Sequence, residues 1–153
     1  MEYIESHKND ERPEGCVFCD LLKGESGEER ILERTELAFV TLAKYPYNPG
    51  HLMVAPVRHI PALGDLDDDE SAEVHALTVQ SVATLRTAYG PEGFNVGWNL
   101  GTVAGGSISG HLHELVVPRW GGDTNFMPVL AAVKVLPEHI AATRARLTEL
   151  WGT

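Results

Sequence analysis

The chain has 153 residues, 43% of them hydrophobic, and a formal net charge of -10 with an isoelectric point near 5.0. That length and apolar content suit one domain with its own core rather than a disordered chain. The acidic balance excludes a nucleic-acid polyanion as the main partner, because binding one requires a concentrated basic face; a small phosphate ester held locally by backbone N–H groups and imidazole is not excluded. No apolar run of about 18 residues and no signal-peptide pattern occurs, so a cytoplasmic protein without membrane partners is expected.

Residues Met1–Glu14 are polar and charged, with Pro13 near their end, and are expected to form a flexible tail before a single domain over 15–153. In the stretch from Cys16 to Gly24, Phe18, Leu21 and Leu22 recur at helical spacing, which predicts a short helix ending at Gly24. Gly24–Arg30 reads as a charged loop. Ile31–Arg34 and Leu37–Leu42 read as two strands of a hairpin. Tyr45-Pro-Tyr-Asn-Pro-Gly50 is turn chemistry, and the apolar run His51–Pro56 predicts a buried strand. Asp67–Tyr89 is the clearest helix, with Val74, Leu77, Val82, Leu85, Ala88 and Tyr89 on one stripe beside Thr78 and Ser81. Its acidic start, Asp67–Glu70, reads as a solvated cap that complements the helix dipole, and Gly90-Pro91 stops the helix. Gly93–Asn99 alternates as a strand. Gly110–Pro118 reads as another, broken by Gly121-Gly122. Phe126–Val135 suits a short strand or extended arm, and a helix starting near Pro137 continues through Ile140, Arg144, Leu147 and Trp151. The order predicts an α+β domain, an antiparallel sheet with one long helix and a C-terminal helix packed on it.

Chemistry concentrates in Gly110-His111-Leu112-His113-Glu114-Leu115-Val116-Val117-Pro118. On a strand, side chains alternate faces, so His111, His113 and Leu115 point one way, spaced about 6.6–6.8 Å. Two such imidazoles suit a pair in which one attacks or binds metal while the other orients it. The pattern alone also fits surface histidines. The preceding run Asn99–Ser107 is rich in Gly and suits an anion-binding loop. Cys16 and Cys19 are the only cysteines, and in a reducing compartment they suit a metal half-site or free thiols better than a disulfide. Glu114, between Leu112 and Val116 on the opposite strand face, is expected to pair with a cation or reach an edge or interface.

Taken with Tyr47–Pro56 and the segment through Trp120–Phe126, this motif resembles the histidine triad (HIT) family, His-φ-His-φ-His-φ-φ with φ apolar, and in particular its diadenosine-polyphosphate phosphorylase and hydrolase branch. The resemblance covers the chain from about Cys16 onward and implies a homodimer in which two sheets join. It makes His113 the nucleophile of a covalent nucleotidyl intermediate, with His51 beside it as a second catalytic residue. It implies phosphate and nucleotide contacts from Asn99, Gly105, Gly106, Ser107 and His111, and a base pocket from Val17, Phe18, Leu21 and Phe39. Zinc-bearing members use a Cys-x-x-Cys pair and two histidines that fall here on Cys16, Cys19, His59 and His111, which implies a structural Zn²⁺. The substrate implied is a dinucleoside polyphosphate or other nucleoside phosphate, cleaved by hydrolysis, phosphorolysis or nucleotidyl transfer. Two positions depart from the pattern: Leu115 stands at the third motif His and Ala43 at a ribose-binding Asn. Those departures set an alternative: a nucleotide- or phosphate-binding HIT protein with little turnover, or an enzyme repurposed to another substrate. Arg119 and Trp120 suit either the substrate tail or the dimer interface.

Overall fold

The computed structural model describes residues 15–25, 27–106, 110–123 and 139–152. The expected tail over 1–14, Ser107, the arm over 126–135 and the helix start at Pro137 lie outside these residues.

The described elements follow the predicted order. Helix α1 spans Val17–Lys23, strands β1, β2 and β3 span Ile31–Arg34, Ala38–Leu42 and Leu52–Pro56, and helix α2 spans Asp68–Tyr89. Strands β4 and β5 span Gly93–Trp98 and Glu114–Arg119, and helix α3 spans Ile140–Leu150. The strands form one antiparallel five-stranded sheet in the order β1-β2-β3-β5-β4. The loop before β1 contains a 3₁₀ turn over Glu28–Arg30.

Both faces of the sheet are covered, which explains why β2 and β3 are buried along their whole length and read as continuous apolar runs. On one face Ala38, Val40, Leu42, Leu52, Val54 and Val116 pack with Val74, Leu77 and Leu85 of α2 and Leu147 of α3. On the other, Phe39, Ala43, Met53, Ala55, Leu115 and Val117 pack with Phe18 and Leu21 of α1. Among the described residues, no helix is long and apolar enough to cross a membrane.

Helix ends follow local chemistry. Gly24, at φ 73°, closes α1 with its N–H on the Asp20 and Leu21 carbonyls, a left-handed conformation that a Cβ would strain. Asp67 caps α2: its carboxylate accepts the Glu70 N–H at 2.8 Å, and Glu70 Oε2 accepts the Asp67 N–H at 3.1 Å.

Two expectations need correction here. The acidic start of α2 is not wholly solvated, because Glu70 is buried and takes two hydrogen bonds of 2.6 Å from the Arg58 guanidinium. The bond to Arg58 holds the Glu70 carboxyl below the usual carboxylate range. Glu114 points under α2, where its carboxylate accepts from the Thr78 hydroxyl, so its partner is a neutral donor and not a cation.

Candidate active site and metal centre

His111 and His113 lie just ahead of β5, not within its ladder as the alternating pattern suggested. The segment is held instead by the Leu112 N–H, which donates to the Ile60 carbonyl at 2.8 Å. Both rings still turn to the α1 face, buried to 2% and 8% exposure. Phe18 covers them: its ring centre is 5.2 Å from that of His111 and 5.1 Å from that of His113, and its edge meets Phe39 at 5.8 Å.

Each imidazole has one nitrogen committed to a carbonyl. His113 Nδ1 donates to the His111 carbonyl at 2.9 Å, since that oxygen only accepts. Its proton is therefore on Nδ1, and the Nε2 lone pair is free. His111 Nε2 donates in the same way to the Pro56 carbonyl at 2.8 Å, leaving the Nδ1 lone pair for another partner. Burial lowers the pKa of both rings against the opposing pull of these carbonyls, which keeps them neutral and nucleophilic near neutral pH.

That Nδ1 faces the cysteines. His111 Nδ1 is 3.4 Å from Cys16 Sγ and 3.7 Å from Cys19 Sγ, and His59 Nδ1 is 3.4 Å from Cys19 Sγ. The ligating atoms of Cys16, Cys19, His59 and His111 all lie within 4.8 Å of one another, and the thiols are not joined in a disulfide. A tetrahedral ion with bonds of about 2.3 Å to sulfur and about 2.0–2.1 Å to nitrogen sets S···N edges of about 3.5 Å, which these separations match. The donor set and the His111 tautomer therefore fit a closed metal centre. It would tie α1 to the segment that carries His113.

His51 starts the chain's entry into β3 and is 3% exposed. Its Nδ1 accepts the Tyr47 N–H at 3.1 Å, and the Tyr47 ring stacks on it at 4.8 Å. Nε2 thus carries the proton, and among the described residues it has no hydrogen-bond partner. Burial first, and the neighbouring charge of His113 second, push the His51 pKa down to about 3.

The glycine loop has the close approaches that small residues permit. A Cβ on Gly106 would sit 2.8 Å from the Asn99 carbonyl and 2.9 Å from that of Gly101, and Gly105 turns at φ 88° beside the Asn99 side chain. Of the expected base-pocket residues, Phe18, Leu21 and Phe39 are buried together, whereas Val17 is 41% exposed. Leu115 is buried against that same cluster, next to Met53.

Sequence reading missed the residues that brace the His51 turn. Asn48 donates to the Pro118 carbonyl at 2.8 Å and to Asp123 Oδ2 at 3.0 Å. That carboxylate also accepts from Arg119 Nε and the Trp120 N–H, both at 3.0 Å, while Arg119 reaches Asn95 Oδ1 at 2.7 Å. The only local signal was an Asp directly after Gly121-Gly122, a turn residue that accepts backbone N–H groups.

Comparison with known proteins agrees with this architecture. A Mycobacterium tuberculosis protein named AP-4-A phosphorylase is 46% identical over 135 residues, 88% of this chain and 69% of that one. A zinc-bound histidine triad family protein from Mycobacterium smegmatis superposes with a TM-score of 0.74 at 24% identity, covering 90% of this chain and 93% of that one. A hypothetical histidine triad nucleotide-binding protein from Sulfolobus tokodaii gives 0.73 at 25% identity, over 88% and 91%. The family model of the HIT domain matches residues 24–121, and the chain belongs to that family.

Proposed function

We propose that this chain cleaves dinucleoside polyphosphates or related nucleoside phosphates by nucleotidyl transfer through His113, as a phosphorylase or hydrolase. The observation that carries the reading is the His113 ring, pinned through Nδ1 to the His111 carbonyl so that Nε2 is the free, unprotonated nucleophile. The 46% identical relative named AP-4-A phosphorylase supports the same substrate class. His113 attacks the α-phosphorus, and phosphate or water then releases the nucleotide, which splits one difficult displacement into two easier ones. Gly105, Gly106, Ser107 and Asn99 hold the phosphate oxygens through backbone N–H groups and small side chains, with His111 bordering the site. The buried Phe18, Leu21 and Phe39 back the apolar side of the base pocket, and the exposed Val17 offers the base an apolar contact. His51 directs its Nε2–H toward the reacting phosphate.

The metal we assign to Cys16, Cys19, His59 and His111 is zinc, which supplies structural cross-linking when bound. The reading includes a single domain over 15–153 behind a flexible tail, a homodimer and a cytoplasmic location. A second reading, a nucleotide-binding protein with little turnover, is favoured by one observation: buried Leu115 puts an apolar side chain on the His113 face of the sheet.

Diadenosine tetraphosphate turnover with and without inorganic phosphate, beside His113→Ala, tests the proposal. Phosphate-dependent release of nucleoside diphosphate that the variant loses supports a phosphorylase, and monophosphate release without phosphate supports a hydrolase. Binding without turnover favours the second reading.

A further inference from the structure

We infer that Arg58 and Glu70 are positioning residues for the metal centre. Their paired hydrogen bonds fix the strip 56–60 on the first turn of α2, and that strip carries His59 to Cys19 and holds the segment 111–113. The inference rests on the metal assignment and is independent of the nucleophilic reading of His113. The strip touches the histidine segment along its length. The Pro56 carbonyl accepts from His111 Nε2 at 2.8 Å, and the Ile60 carbonyl accepts the Leu112 N–H at 2.8 Å. Between them the His59 ring meets the His111 ring edge-on, with centres 5.0 Å apart, and His59 Nδ1 stands 3.4 Å from Cys19 Sγ.

Arg58 anchors this strip. Its Nε and Nη2 each donate to the Glu70 carboxylate at 2.6 Å, and Nη2 also donates to the Asp65 carbonyl at 2.9 Å. The Glu70 side chain is 2% exposed and that of Arg58 55%, so the guanidinium reaches in from the surface to a buried acceptor. Two parallel charge-assisted bonds fix orientation as well as distance, which a single point contact does not. His59 follows Arg58 directly in the chain, so the fork sets where the backbone delivers that imidazole. Groups that orient metal ligands from behind are typically worth about 10–100-fold in metal affinity. Helix capping does not account for the fork. Glu70 Oε2 also accepts the Asp67 N–H at 3.1 Å, and a glutamine serves that capping box equally. A glutamine has one acceptor oxygen, however, and its amide N–H groups would face the guanidinium donors. Glu70→Gln therefore keeps the cap and breaks the fork.

The test measures the zinc affinity of the full chain by competition with a chelating dye. It also records the visible bands of bound Co²⁺, which report tetrahedral coordination by two thiolates and two imidazoles. Glu70→Gln is expected to weaken zinc by about tenfold or more, as loss of a ligand-orienting group does, and to shift the Co²⁺ bands. Arg58→Lys keeps the charge and loses the fork, and its zinc affinity should fall between that of Glu70→Gln and the wild type. The Arg58 side chain is largely exposed, so this second variant decides the matter if Glu70→Gln fails to fold. Asp67→Ala is the control: it removes the cap carboxylate at the same helix end and lowers the melting temperature, and its zinc affinity should be unchanged. Wild-type zinc affinity and Co²⁺ bands in both Glu70→Gln and Arg58→Lys overturn the inference and leave the metal assignment standing. A loss in Asp67→Ala as large as in Glu70→Gln also overturns it, because a general weakening of α2 then explains both. A wild-type chain that binds neither ion overturns it together with the metal assignment.

Discussion

Ala43 and His51 face each other at the end of the β2–β3 ladder, joined by the Ala43 N–H on the His51 carbonyl at 3.1 Å. On the neighbouring strand β5, Leu115 and Val117 share that face. The buried His51 imidazole stacks on Tyr47, and among the described residues its Nε2–H has no acceptor. Leaving a buried donor unsatisfied costs about 1–3 kcal/mol, an energy that a ligand oxygen bonded there would recover.

Replacing His113 by Ala should abolish cleavage of diadenosine tetraphosphate by at least about 10³-fold, because removal of a covalent nucleophile leaves only binding and orientation. Rapid acid-free quenching with labelled substrate should trap a nucleotidyl adduct on the wild type and none on the variant. Unchanged circular dichroism of the variant separates this loss from unfolding.

Metal analysis after purification without chelator should find close to one equivalent of zinc, and Cys19→Ser should lower it sharply. Chelation should also lower thermal stability. An ion held at about 100 times its dissociation constant contributes about 2.7 kcal/mol, or roughly 5–10 °C for a chain of this size. An unchanged melting temperature after complete chelation would argue against a structural ion.

His51 should make the fold acid-sensitive. Its folded pKa of about 3 lies below the ordinary unfolded value of 6.5, so the unfolded chain binds the extra proton first. Its contribution is therefore fully present above pH 6.5 and lost progressively as the pH falls toward 3. At pH 5 the loss should be about 2 kcal/mol, from about 1.36 kcal/mol per unit over the interval below 6.5. Urea unfolding at pH 7.5 and pH 5, compared with His51→Phe, should show that difference in the wild type and not in the variant.

Gly106→Ala should damage the loop without unfolding the sheet. The added methyl meets two backbone carbonyls at 2.8 and 2.9 Å, atoms that cannot swing aside as a side chain can. We expect at least about a tenfold rise in the dissociation constant for a nucleotide, equal to about 1.4 kcal/mol, with a melting temperature close to that of the wild type. Isothermal titration with a nucleoside monophosphate measures it.

The sequence by itself determined the elements and their faces. Apolar runs marked β2 and β3, the 3.6-residue stripe marked α2, and Asp67, Gly24 and Gly90 marked helix ends, because these signals depend on neighbours a few residues away. It also drew attention to His113, His111, the cysteine pair and the glycine loop, through their pattern together with its resemblance to the histidine triad motif. Tertiary structure decided what each group does. The alternating pattern placed His111 and His113 in a strand, yet a hydrogen bond from Leu112 to Ile60 holds them outside the ladder. Glu70 looked solvated until Arg58 reached it, and Glu114 looked in need of a cation, an edge or an interface until α2 brought Thr78 to it. The bracing of the His51 turn by Asp123 joins residues 75 positions apart. The tautomers of His51, His111 and His113 are set by a backbone N–H or carbonyl. For His111 that group lies 55 residues away, on Pro56. Backbone hydrogen-bonding groups are the same at every residue, so only the folded arrangement of the chain selects which of them meets a given ring.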